Sequence, residues 1–187
     1  VLTVTQVPDT IPVALDLAKK HLRLDSDDEN DQLEIYLRAA IDYVQSATTR
    51  ILAPTEFDYR VHLHGRRIDL PRSPVREVIE VSAIEDGVAT PMALSDWRHV
   101  PASSGGRVEL SSFHDGTIGV VFTAGYDLPG QTGSGDDPAF RRPDLAVAVV
   151  LLLTGHWFEH REAVSDVQTY PLPFAVDAIL QQLRIYR

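Results

Sequence analysis

The run LAVAVVLLL at 145–153 constrains the fold more than any other stretch of the sequence. It is apolar on every side of a helix, so it has to be surrounded. A membrane span needs about 20 such residues. This run is much shorter, and Arg141, Arg142 and Glu159 flank it. It reads as a buried core helix that starts at Pro143 and Asp144. A helix apolar all round needs neighbours on several sides, and the chain offers them. In 25–52, Leu33, Leu37, Ile41, Val44 and Thr48 recur at helical spacing, and acidic residues gather at the N-terminal end, where the helix dipole favours them. Leu33, Leu37, Ile41 and Val44 are expected to face Leu145, Val149, Leu152 and Leu153. Ahead of that helix, 9–24 predicts a shorter one, with an N-cap at Asp9 or Thr10, Pro12 in the first turn, and a face of Val13, Leu17 and His21 or Leu24. A last short helix carries Phe174, Val176, Ile179, Leu180 and Leu183 on one side.

Between the helical ends the period changes from helical to two. Phe57, Tyr59, Val61 and Leu63 alternate as in a strand. The stretch 75–94 reads as two strands about an Asp86-Gly87 turn. A loop at 103–106 follows, and GTIGVVFTAGYD is the last strong strand. The fold class is α+β: a helical core of about four helices, from 10–53 and 140–187, with a β-rich insertion at 54–127. A Gly/Pro/Asp stretch at 128–139 is expected to be a flexible loop.

The 187 residues suit a single domain or a core with an insertion, and 44% are hydrophobic, as expected of a folded chain. There is no cysteine, so disulfides, thiolate metal sites and a cysteine nucleophile are excluded, and an intracellular origin is favoured. The start, VLTVTQVPDT, does not have the pattern of a signal peptide. The net charge of -10 argues against wrapping nucleic acid on a basic face.

Three clusters invite a chemical reading. HWFEH at 156–160 has the H-x-x-E-H spacing of inverted zinc proteases, so His156 and His160 could grip a metal while Glu159 activates water. That family needs a further glutamate ligand well downstream. After His160 only Glu162, Asp166 and Asp177 are acidic. The alternative is a helix end where Trp157 and Phe158 pack and the polar residues form a rim. The acidic stretch 25–31 spaces carboxylates like a calcium loop, but Asn30 stands where the loop glycine belongs and Tyr36 where the bidentate glutamate belongs. It reads as an acidic cap. His62 and His64 share one strand face, which is more commonly solvated than metal-binding. No phosphate loop and no nucleophile elbow occurs.

Four stretches together resemble a family. They are LDLAKKHLRLDSDDENDQLEIYLRAAIDYVQSATTRIL, IDLPRSPVREVIEVSAIEDG, GVVFTAGYD, and LAVAVVLLLTGHWFEHREAV followed by LPFAVDAILQQLRIYR. In that order they resemble the head-tail connector (adaptor) proteins of tailed phages and phage-derived gene transfer agents, from about residue 10 to the end. The loop at 128–138 is longer than the family's pattern.

The resemblance implies a structural protein without catalysis, metal or cofactor. It would form a ring, twelvefold in the family, beneath the portal protein in the virion neck, after assembly in the host cytoplasm. It would extend a channel through which DNA passes without sequence-specific binding, and meet the next tail-side connector, the stopper. In that family the HW-E-RE segment is a structural helix. From the residues themselves, Arg184, Tyr186 and Arg187 are the portal-interface candidates, because Arg and Tyr are favoured at interface hot spots and a chain end is free to reach a neighbour. The competing reading is a small metallohydrolase using His156, Glu159 and His160.

Overall fold

The computed structural model describes residues 1–102, 105–130, 140–160 and 174–185. Its elements in chain order are β1 (Leu2–Gln6), α1 (Leu15–Leu22), α2 (Asn30–Thr48), β2 (Thr55–Asp69), β3 (Val75–Glu85), β4 (Val88–Pro91), β5 (Trp97–Ala102), β6 (Gly105–Ala124), α3 (Asp144–Glu159) and α4 (Phe174–Leu183). The fold is mixed α+β, four helices beside one six-stranded antiparallel sheet.

Each part has its own apolar cluster. In the helical cluster, α2 buries Leu33, Leu37, Ala40, Ile41, Val44 and Thr48, the face its periodicity predicts. Against it α3 sets Ala146, Val149, Val150 and Leu153. Leu145 and Leu152, expected on that face, point outward and are 43% and 36% exposed. A helix apolar all round has no polar side to fix its rotation, so neighbours choose the face. A similar correction applies to α1. It begins at Leu15 after an extended Ala14, later than the Asp9 or Thr10 cap predicts. Leu17 is exposed, and Ala18 is the residue that goes in. The end of α1 comes close to α3, where a side chain at Gly155 would meet Leu22 at 3.2 Å. From α4, Val176, Leu180 and Leu183 complete the cluster.

The sheet runs β1-β2-β6-β3-β4, with β5 also on β6. β6 is its spine. It pairs with β2 from Ala124 to Arg107, with β3 over its second half and with β5 over its first. It is one strand of 20 residues where the sequence suggested separate pieces. The buried face carries Phe57, Ile118, Val120 and Phe122, and the Phe57 and Phe122 rings stack 5.4 Å apart. β3 and β4 form the expected hairpin. Asp86 and Gly87 both have positive φ, 49° and 81°, as a two-residue type I′ turn demands. β1, outside the predicted elements, pairs with β2.

A short seam joins the two clusters. Ile51 N–H donates to Ser73 O at 2.8 Å, Tyr126 N–H to Ile51 O at 3.0 Å, and Gly125 N–H to Pro74 O at 2.8 Å. Three stretches far apart in sequence therefore share one set of backbone hydrogen bonds.

Candidate functional site

The HWFEH segment does not present a metal-binding face. α3 ends at Glu159, and His160 leaves the helix at φ -109°, ψ 64°. The two imidazoles lie against each other with centroids 4.7 Å apart, and His160 Nδ1 sits 2.9 Å from the His156 carbonyl. Trp157 packs edge-on to Tyr43, and buried Phe158 packs edge-on to Tyr36. Two aromatic pairs thus pin the end of α3 to α2. Among the described residues, no three metal-ligand side chains gather at one point. The metallohydrolase reading has no support.

The acidic turn at 25–31 is organised by Asp27. Its carboxylate accepts from Lys19 on α1 and from Asn30 Nδ2 at 3.0 Å. The hydrogen bond from Lys19, then that from Asn30, hold its pKa below the usual carboxylate range. The expected side-chain cap is not made at the N-cap residue Glu29. Instead, backbone N–H groups of Asn30 and Leu33 donate to the carbonyls of Asp27 and Glu29. The turn tethers α1 to the start of α2.

His62 and His64 flank Asp115 from the neighbouring strand, at 3.6 and 3.4 Å from its Oδ1, all three more than half exposed. On the same sheet, Glu109 lies between Arg98, at 2.6 Å, and Arg67, at 3.7 Å. The hydrogen bond from Arg98 lowers the Glu109 pKa. The two arginine contacts to Glu109 are ion pairs across strands. His99 differs: burial pushes its pKa down, and its Nε2 is enclosed without a hydrogen-bond partner among the described residues.

Of the C-terminal candidates, Arg184 is engaged within its own chain. Its Nε donates to Ala47 O at 3.1 Å, and Ile185 N–H reaches Thr48 O at 3.4 Å. Tyr186 and Arg187 lie outside the described residues. The same end of α2 carries a residue that sequence reading passed over. Arg50 Nε donates to Leu183 O at 2.7 Å, and its Nη1 donates to the hydroxyl of buried Tyr126. One guanidinium thus ties α4 and the exit of β6 to the end of α2. A second cluster sits beside it. Arg76 on β3 donates to Asp127 Oδ1 at 2.8 Å and lies 4.5 Å over the Phe140 ring, while Asp127 N–H donates to Phe140 O at 2.9 Å. It brings together the two ends of the 128–139 stretch, most of which lies outside the described residues. The available signal was the TAGY sequence at 123–126: Gly125 has φ +129°, and a Cβ there would fall 2.1 Å from Ala53 O.

The comparisons fit this architecture. Residues 13–85 match the family of phage gp6-like head-tail connector proteins. No curated protein sequence matches the chain. Among solved structures, a chain in the neck of an empty gene transfer agent particle, computed with C6 symmetry, is similar at a TM-score of 0.77 and 25% identity. The likeness covers 100% of this chain and 96% of that one. A chain in the virion of a native gene transfer agent particle matches equally well, at the same TM-score, identity and coverage. A chain in a native neck computed with C12 symmetry matches at 0.70 and 26% identity, over 99% of this chain and 96% of that one. Residues 13–85 thus carry the pattern of the phage head-tail connectors, and the chain as a whole has the fold of a component of the gene transfer agent neck.

Proposed function

We propose that the protein is a structural head-tail connector of the virion neck, extending the DNA channel beneath the portal and joining the capsid to the tail. The observation that carries this is the end-to-end likeness to a neck chain, which takes in helices, sheet and their junction alike. The chemistry agrees with a scaffold. The charged clusters are used in tethers between elements, such as Asp27 to Lys19 and Arg50 to Tyr126. We read the protein as having no catalytic role.

Copies assemble as a ring, twelvefold, as the C12 symmetry of a similar neck suggests. The portal lies on one side and the stopper on the other. DNA slides through, because a wall on a chain of net charge -10 releases few counterions and holds phosphate weakly. The portal contact is carried by the C-terminal end. Arg184 is bonded to the last turn of α2, and Tyr186 and Arg187, which follow it in sequence, are the proposed contact residues.

Portal-bearing, DNA-filled heads that lack the protein provide the test. The purified chain should co-sediment with them and restore tail joining, and heads without portal should not bind it. Failure to bind portal-bearing heads would overturn the reading. Removing residues 186–187 should leave folding intact and abolish attachment. Normal attachment after that removal would place the portal contact elsewhere.

A further inference from the structure

Among the described residues, the outermost strands of the order β1-β2-β6-β3-β4 each have one unpaired side; β5, paired only with β6, also has one, but it carries Arg98. Natural proteins blunt such edges, most often with charged side chains, because unpaired backbone groups recruit other chains. Neither outermost edge is blunted that way. Residues 2–8, LTVTQVP, and 88–94, VATPMAL, contain no charged side chain in a protein that is 24% charged. Both edges are exposed: Val4 is 51% and Val88 67% accessible. Isolated surface valines need no explanation. Two edges without a charged side chain do, since the strands between them carry Arg67, Arg98, Glu109 and Asp115.

The backbone on each edge is available. Val1 exchanges both its hydrogen bonds with Arg60, so by the antiparallel alternation Leu2 and Val4 turn theirs away from the sheet. On β4, Val88 pairs with Glu85 beside the turn, which leaves Ala89 and Pro91 facing out. Ala89 offers an N–H and a carbonyl, whereas Pro91 offers only a carbonyl. The side chains also agree in direction. Val4 is opposite Phe57, which is opposite Phe122. Thr90 is opposite Ala83, which is opposite Ile118. Val4, Val88 and Thr90 therefore lie on the one face that holds Ile118, Val120 and Phe122.

We propose that β1 of one copy lies along β4 of the next, so that the ring closes head to tail through the two edges of the sheet. A second copy is the occupant for two reasons. Two different surfaces on opposite sides of one sheet make a heterologous contact, which forms a ring when its rotation closes. Copies that each carry a net charge of -10 repel, so they meet most readily where neither has charge. A foreign partner on one edge would leave the other unexplained. Pro91 keeps the strand pairing short, so the contact is weak between two free copies and becomes stable where copies are held side by side. This inference rests on the connector reading.

The chain has no cysteine, so engineered pairs report cleanly. The full-length chain carrying Val4→Cys and Val88→Cys together is treated with a short bismaleimide, both concentrated in solution and bound to portal-bearing heads. Thr3→Cys with Ala89→Cys is the second pair, in case the first disturbs folding. Either double variant should give bands at successive multiples of the chain mass, beyond the dimer. Each single variant should give none. A dimer from Val4→Cys alone would mean that like edges meet, and would overturn the head-to-tail arrangement. A product with a different head protein would overturn it in favour of a foreign partner. Bound or self-associated protein that yields no ladder with either pair would overturn the edge contact and leave the connector reading standing. Absence of both head binding and self-association would remove the connector reading and this inference with it.

Discussion

In the helical cluster, each helix brings its buried face in one continuous stretch of chain. In the sheet, the buried face is assembled from distant strands: Phe57 stacks on Phe122, with most of the sheet's sequence between them. The helices are held mainly by side-chain interlocking, as where Tyr36 and Tyr43 meet Phe158 and Trp157. The sheet is held by one long strand that nearly every other strand touches or adjoins. The difference teaches where each part is vulnerable. A helix can lose one contact and keep its own hydrogen bonds. The sheet depends on β6, and the two parts depend on the seam at Ile51, Ser73 and Gly125.

The seam gives the largest expected effect. Gly125→Ala places a methyl carbon against Ala53 O at a φ that side chains rarely adopt. It should cost about 4 kcal/mol or more, the range of changes that combine strain with steric conflict. Thermal melting followed by far-ultraviolet and aromatic signals should then separate into two transitions. A loss below about 1 kcal/mol, with one transition, would show that the seam yields easily and does not couple the parts. Next comes the helical core. Leu37→Ala should cost about 2–5 kcal/mol, whereas Leu152→Ala on the outer face of α3 should cost less than about 1 kcal/mol. Equal losses in urea denaturation would mean that α3 is rotated from the position described.

A smaller effect is expected at Tyr126→Phe, which removes the acceptor for Arg50 Nη1. Arg50 is half-buried and keeps its bond to Leu183 O, so the loss should be that of one hydrogen bond, about 0.5–1.5 kcal/mol. The melting temperature of the helical part should fall with it, and an unchanged value would show that Arg50 finds solvent instead. The smallest effect belongs to the sheet. Burial lowers the His99 pKa from its ordinary 6.5, so the unfolded chain binds the proton more readily. Stability from this group is complete above that value and declines as pH falls through it toward the lower folded pKa. Denaturation between pH 7.5 and 5.5 should show a shallow decline that His99→Leu flattens, and an identical slope in the variant would clear His99 of the effect.

Much of the helical part was legible because periodicity is local. Leu33, Leu37, Ile41, Val44 and Thr48 announce their face without help from the rest of the chain. The β3–β4 hairpin was legible for the same reason, since the Asp86-Gly87 turn encodes its own geometry. The face of α3 was not, because Leu145 and Leu152 differ from Val149 and Leu153 only in what the neighbours leave uncovered. The face of α1 was not legible either: Ala18 is buried and Leu17 exposed, and hydrophobicity alone would rank them the other way. β6 was divided because 111–116, Ser-Ser-Phe-His-Asp-Gly, has turn composition, yet the pairing with β2 continues past it with an irregular register. Of the candidate site, the sequence supplied the family pattern, but it could not reveal the Arg50–Tyr126 and Arg184–Ala47 links. Those partners are distant along the chain and carry no spacing rule.

The insertion of the sheet between α2 and α3 also sets a schedule. Synthesis delivers the apolar face of α2 first and its cover, Val149 and Leu153, more than 100 residues later. At roughly 5–20 residues per second the uncovered face waits on the order of ten seconds on the ribosome. The sheet meanwhile has to thread β6 between strands already made, a non-local pairing that is slow in its own right. The nascent chain is therefore sticky for longer than its finished form suggests. Slower translation should lengthen that exposure, and holding chaperones should find their target around Leu33, Leu37 and Val44.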